Sequence, residues 1–230
     1  MEHFEMRNKP LPLGKVRFVI FDWDNTLANS RPALLFAIRQ VLAEKGLPKW
    51  EDVCKNRNHD LSFKDNFPIF FGERAEEIYA RYVEIYLRHV KDLISTFDGV
   101  RQVLDFLASR RIKMMIMSNK DRRLLDYELP LLFDPDMFEK IVCGHEAEHD
   151  KPYPEHIFYA LTGYLLPDEI SPEEVWMVGD SPADSDCAKA AHALPIRIGE
   201  DIWHTETEQP EKIRYFDDFV HFYAALNDEN

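Results

Sequence analysis

Glycine is scarce in this chain, 8 of 230 residues, about half the roughly 7% usual in globular proteins, so collagen-like, glycine-linker and low-complexity readings fail. Cysteine is scarcer. Cys54, Cys143 and Cys187 are odd in number, widely spaced and in no CxxC arrangement, which excludes a disulfide scaffold, suits a reducing cytoplasm and predicts three buried thiols. Long apolar runs are missing too: Phe18-Val19-Ile20-Phe21 and Met114-Met115-Ile116-Met117 fall far short of the roughly 20 residues a membrane span needs. The opening MEHFEMRNKPLPLGK lacks the apolar block of a signal peptide. The chain therefore reads as soluble and cytoplasmic, with no membrane partner. Positive charge is in deficit, 28 basic against 42 acidic side chains for a net charge of −14. No basic stripe with interleaved aromatics offsets it, which excludes a groove-bound nucleic acid.

What is present is a foldable chain, 45% apolar and 30% charged with no long single-sign block, and long enough for a real core. Short β-rich apolar runs alternate with helical patterns. The runs are Val16–Phe21, Ile112–Met117, Lys140–Cys143, Val175–Val178 and Pro195–Ile198, and their unbroken hydrophobicity is that of strands covered on both faces. Between them Val100, Val103, Leu104 and Leu107 form an i, i+3, i+4, i+7 stripe, and Pro154–Leu166, Pro182–His192 and Phe216–Leu226 read as helices. The alternation predicts an α/β fold, a three-layer Rossmann-like parallel sheet with helices on both faces.

One stretch breaks the rhythm. From Asn29 to Phe97 no strand is expected, whereas Pro32–Lys45 and Arg74–His89 carry apolar stripes. Residues 29–97 are therefore expected to be an all-helical insertion into a core made of residues 1–28 and 98–230. The tyrosine stripe Tyr79, Tyr82 and Tyr86 reads as packing within it.

Four polar clusters follow predicted strands: Asp22-Trp23-Asp24-Asn25-Thr26, Ser118-Asn119-Lys120, Lys151-Pro152, and Gly179-Asp180-Ser181-Pro182-Ala183-Asp184. An open parallel sheet binds ligands at the carboxyl ends of its strands, so these remote stretches converge on one pocket. Asp22, Asp24, Asp180 and Asp184 crowded together would raise one another's pKa values unless a cation offset them. Oxygen ligands with room for water and phosphate favour Mg²⁺. Lys151 and the Ser118 hydroxyl add a positive charge and a donor for an anionic substrate. Acid, metal, lysine and hydroxyl together describe phosphoryl transfer.

Other readings compete for the same residues. Asp22 and Asp24 could open a calcium loop, but its glycine position is Leu27 and its final glutamate position Ala33. Ser118 with Asp121, and Ser181 with Asp184, each fit a helix capping box. His145-Glu146-Ala147-Glu148-His149 matches the H-E-x-x-H zinc motif, although Gly144 and Pro152 leave it about two helical turns at most.

At the polar clusters the sequence resembles the haloacid dehalogenase superfamily, and specifically its phosphatases. FDWDNTL fits the first motif, MSNK the second, KPYPE the third and VGDSPADSDCAKAA the fourth, in order and spacing. FDGV and the SNK form look most like the phosphoglycolate-phosphatase-like branch, whose helical cap lies between motifs one and two. The resemblance implies an Mg²⁺-dependent hydrolysis of a small phosphorylated metabolite. Asp22 would attack phosphorus, Asp24 would act as acid and then base, and Thr26 would hold the turn. Ser118 and Lys151 would clamp the phosphoryl group, with Asn119 beside them. Mg²⁺ would rest on Asp22, the Asp24 carbonyl, Asp180 and Asp184. Arg57, His59 and Lys64 fall where related caps face the pocket and would read the rest of the substrate, although the glycine of the branch's pattern is missing near His59. A phosphosugar mutase of the same superfamily usually carries DxDGV where Asn25 and Thr26 stand here. A non-catalytic phosphate-binding module of the same fold would not need every catalytic position filled. The sequence leaves monomer or dimer open.

Overall fold

A computed structural model of the chain describes residues 11, 13–58, 61–199 and 213–227. Six parallel strands form the sheet: β1 (Phe18–Phe21), β4 (Lys113–Met117), β5 (Lys140–Val142), β6 (Val175–Gly179), β7 (Leu194–Ile198) and β8 (Arg214–Phe216), in the order β5-β4-β1-β6-β7-β8. Every side chain of β1 and β6 is buried, as their unbroken apolar composition demands in a sheet covered on both faces. The period-2 pleat divides them. Val19, Phe21 and Trp23 pack with α5 (Val100–Ser109), α6 (Arg122–Leu132) and α9 (Phe219–Asn227), whereas Phe18, Ile20 and Met177 pack with α7 (Glu155–Ala160) and α8 (Pro182–Ala190).

The topology and the register together place the site. After β1 the chain builds β4 and β5 on one side, then crosses to β6, β7 and β8 on the other. β1 and β6 are therefore the switch point where open α/β sheets leave a crevice. Phe21 pairs with both Ile116 and Val178, so Asp22, Ser118 and Asp180 leave adjacent strands at the same edge.

The remaining helices, α1 (Arg31–Glu44), α2 (Trp50–Val53), α3 (Phe67–Phe71) and α4 (Ala75–His89), bury an apolar cluster of their own around Ile38, Val41, Trp50, Phe67, Tyr82 and Tyr86. α1 packs against α4, and Tyr79, Tyr82 and Tyr86 follow one another in ring contact along α4, in keeping with a packing role.

Several expectations need correction. The helical stretch is entered and left through a strand pair, β2 (Ala28–Asn29) antiparallel to β3 (Ser95–Thr96), too short to show any alternation. The chain at Phe216 is the end of edge strand β8, with α9 starting only at Phe219. α7 ends at Ala160, well before Leu166. Helix α6, absent from the sequence reading, carries Pro130 in its last turn, which breaks the pattern a helix is recognised by. Cys143 and Cys187 are buried thiols, but Cys54 is partly exposed.

Candidate active site

Asp22 extends the ladder one residue past β1, its N–H donating to the Val178 carbonyl at 2.8 Å. The chain then turns sharply: the Trp23 carbonyl accepts from the N–H groups of Thr26 (3.3 Å) and Ala28 (2.9 Å). Asn25 takes the left-handed conformation, φ 60°, which asparagine tolerates better than most residues. The Thr26 hydroxyl reaches Asp22 Oδ2 at 3.5 Å. The side chain of Asp24 takes another course: its Oδ1 accepts from Lys120 Nζ at 2.7 Å and from the Ser30 hydroxyl.

Across the switch point, Gly179 closes β6, and a Cβ built on it would stand 2.2 Å from Asp184 Cγ. Only a residue without a side chain lets the first turn of α8 bring Asp184 that close to the strand. Asp184 Oδ2 accepts from the Ser181 N–H (3.0 Å) and hydroxyl (2.6 Å), so the capping arrangement is present. Its Oδ1 meanwhile accepts from Lys151 Nζ at 2.6 Å. The same ammonium donates to Asp22 Oδ1 at 2.5 Å. One residue thus caps a helix and faces the lysine.

Lys151 is held from behind. Asn119 accepts from its N–H at 3.1 Å and donates to its carbonyl at 2.7 Å, a two-point grip on the main chain. His156 Nδ1 accepts from the same N–H at 3.2 Å. Ser118 is buried at the end of β4, its N–H on the Val142 carbonyl at 2.9 Å and its hydroxyl accepting from the Lys120 N–H at 3.3 Å.

The electrostatics of the pocket are unbalanced. Asp22, Asp180 and Asp184 each offer an oxygen within 4.8 Å of the others, all buried, against the single ammonium of Lys151. Burial first, then the neighbouring carboxylates, pushes the Asp22 carboxyl up to about 7 despite Lys151. Asp180 is raised well above the usual carboxylate range by burial and by Asp22 and Asp184. Burial opposes the charge on Lys151, but Asp184 and Asp22 overcome it and keep the ammonium protonated. Three buried carboxylates crowded with one lysine are a donor set that could hold a hard divalent cation.

The structure thus brings Asp22, Thr26, Ser118, Asn119, Lys151, Asp180 and Asp184 to one edge, with the Asp24 side chain turned to Lys120. Arg57 lies in the helical insertion, its charge within electrostatic reach of Asp180. Lys64 is tied to Asp121 at 3.1 Å, on the helix that follows Ser118, rather than to the carboxylates. His59 lies outside the described residues. Ser118 does not cap α6; Asp121 does, accepting from the Arg123 N–H at 3.1 Å. The HEAEH segment is a run of turns and bends. His145 faces Asp65 at 3.3 Å, and Glu146 is gripped by Arg122 at 2.7 Å. No zinc set forms there among the described residues.

Sequence reasoning missed Glu128 and His156. Glu128 is fully buried on α6, and its signal was available: a carboxylate inside the stripe Leu124, Leu125, Leu129. His156 sits five residues after Lys151 with nothing in its neighbourhood to mark it.

A switch-point crevice holding a carboxylate triad and a buried lysine is the outline of an enzyme site in an α/β fold. The family model of haloacid dehalogenase-like hydrolases matches residues 19–196, and the chain belongs to that family. It is 28% identical over 172 residues to a pyrophosphatase PpaX of Bacillus mycoides, covering 74% of this chain and 77% of that protein. It is 27% identical over 195 residues to a phosphoglycolate phosphatase of Nitrosococcus oceani, covering 78% and 82%. A solved structure described as a haloacid dehalogenase-like hydrolase from Bacteroides fragilis superposes with a TM-score of 0.75 at 25% identity, over 90% of this chain and all of that one. No helix among the described residues is long and apolar enough to cross a membrane.

Proposed function

We propose that this chain is an Mg²⁺-dependent phosphatase that hydrolyses a small phosphate monoester through an aspartyl-phosphate on Asp22. The observation that carries the reading is the buried triad Asp22, Asp180 and Asp184 with the Lys151 ammonium 2.5 and 2.6 Å from two of its members. The donor set fits the ion: every ligand is oxygen, and the carboxylates outnumber the lysine three to one. Asp22, Asp180, Asp184 and the main-chain carbonyl of Asp24 would hold it. When bound, Mg²⁺ supplies positive charge that neutralises the triad and draws electron density from the phosphoryl oxygens.

The chain's own residues then divide the work. An Asp22 oxygen forms a bond to phosphorus as the bond to the ester oxygen breaks, and Asp24 gives that oxygen a proton. Asp24 then takes a proton from water as the water oxygen bonds to phosphorus and Asp22 is released. The net change is ester plus water to alcohol plus phosphate. Lys151 and the Ser118 hydroxyl bind the transferring oxygens, and Asn119 fixes Lys151 by its main chain. Residues 29–97 act as a cap over the crevice, with Arg57 and Lys64 on the side that meets the rest of the substrate. The two named relatives act, by their names, on pyrophosphate and phosphoglycolate, both small phosphorylated compounds.

Phosphate release across a panel of phosphorylated metabolites tests the reading. Wild-type protein should need Mg²⁺, stop in EDTA and recover when Mg²⁺ is restored, and Asp22→Asn should remove turnover. An Asp22→Asn variant within tenfold of wild type, or rescue by zinc alone, would refute it.

A further inference from the structure

A second charged cluster surrounds Asp24, the one member of it that the chemistry above uses. Lys120 is nearly buried, and its Nζ sits 2.7 Å from Asp24 Oδ1, 2.8 Å from Glu128 Oε1 and 3.4 Å from the Tyr86 hydroxyl. An ammonium has three N–H donors, and here each has a neighbour. Glu128 is anchored in turn, its Oε2 accepting from Trp23 Nε1 at 2.6 Å. Trp23 directly precedes Asp24, so the contacts close a ring: Trp23, Glu128, Lys120, Asp24 and back through one peptide bond. Tyr86, from α4 of the helical insertion, covers it with its ring centroid 5.2 Å from Nζ.

A buried ion pair is a poor way to stabilise a core, since apolar residues of similar volume often do as well or better. What this one does is fix a carboxylate. Among the described residues the donors to Asp24 are Lys120 and Ser30, and both meet Oδ1. Oδ2 is thereby the oxygen left to carry a proton. We propose that Lys120 is a positioning residue for Asp24: anchored by Glu128 and covered by Tyr86, it holds Oδ1 and leaves Oδ2 to exchange the proton with the ester oxygen and with water. The inference rests on the acid and base role given to Asp24 above and extends it to residues to which the resemblance gives no role. Because Tyr86 belongs to the insertion, Asp24 is fully held only when the insertion is seated.

The test is the dependence of kcat/KM on the leaving group, which reports steps up to its departure. p-Nitrophenolate leaves without a proton, whereas phenolate leaves far better with one. General acids contribute roughly 10²–10⁴-fold. Lys120→Met should therefore raise the ratio of kcat/KM for p-nitrophenyl phosphate over phenyl phosphate by about tenfold, and add nothing further in an Asp24→Asn background. Should the single variant fail to fold because Glu128 is left unpaired, Lys120→Met with Glu128→Gln makes the same comparison. Equal losses on both esters, as from simple loosening of the fold, would overturn the role of Lys120 while leaving the phosphatase reading intact. A wild-type protein that releases phosphate from neither ester would overturn both.

Discussion

Replacing Asp22 by asparagine should end turnover and at the same time stabilise the metal-free protein. In the fold the Asp22 carboxyl titrates near 7 rather than 3.8, because of burial first and of the Asp184 and Asp24 charges after it, with Lys151 pulling the other way. A folded-state value above the unfolded one means that the stability present in acid is lost as pH rises through about 7. At 1.36 kcal/mol per pKa unit, the ionised Asp22 costs the fold at most ~4 kcal/mol at pH 8. Asparagine removes that charge but also gives up the pairing with Lys151, which keeps Asp184 at 2.6 Å. The gain is bounded by that ~4 kcal/mol, each 1 kcal/mol being worth roughly 2–4 °C in Tm for a chain of this size. Thermal unfolding in EDTA at pH 5 and pH 8 measures it. Wild type should weaken from pH 5 to pH 8, the variant less so, and Mg²⁺ should raise the wild-type Tm more than that of the variant. A variant less stable than wild type at pH 8 without metal, or a wild type equally stable at both pH values, would show that the triad carries no surplus charge.

Two further outcomes follow from the close packing around the site. Gly179→Ala places a Cβ 2.2 Å from Asp184 Cγ, so Asp184 must move; phosphate release should fall about tenfold or more and need more Mg²⁺ for half-maximal activity, as a metal titration would reveal. His156 is pushed down to about 3 by burial and then by Lys151. Its folded value lies below the unfolded one, so stability falls as pH drops from about 6.5 toward 3, by up to ~1.4 kcal/mol per pH unit. His156→Gln should flatten urea midpoints between pH 4 and 6, and unchanged slopes would count against a neutral, buried ring.

The sheet and the site edge were legible because their signals are local. Short unbroken runs such as FVIF and VWMVG, rich in β-branched and aromatic residues, read as strands covered on both sides, and a polar cluster directly after each one points to the carboxyl edge. What escaped notice depends on partners far away in the chain. The ribbon of Ala28–Asn29 with Ser95–Thr96 exists only because two distant dipeptides meet. Glu128 stands out as a carboxylate within a leucine stripe, but it is buried because Lys120 and Trp23 receive it, and nothing in DYELP names those partners. Asn119 is expected among the site residues, and its grip on the main chain of Lys151 belongs to the loop geometry rather than to the motif. Lys64, expected to face the substrate, bridges to Asp121, an acidic residue that becomes a helix cap only once α6 is recognised.

The narrow doorway formed by the β2–β3 ribbon has a consequence for how such a molecule could diversify. Both ends of the helical excursion return to one spot, so the parallel sheet registers only that junction and not the length of chain beyond it. Closing a longer excursion adds only about 0.6 kcal/mol for each doubling in length. Helices beyond the doorway can therefore be lengthened, exchanged or reshaped around a new compound while the acids and the lysine at the strand ends keep their positions.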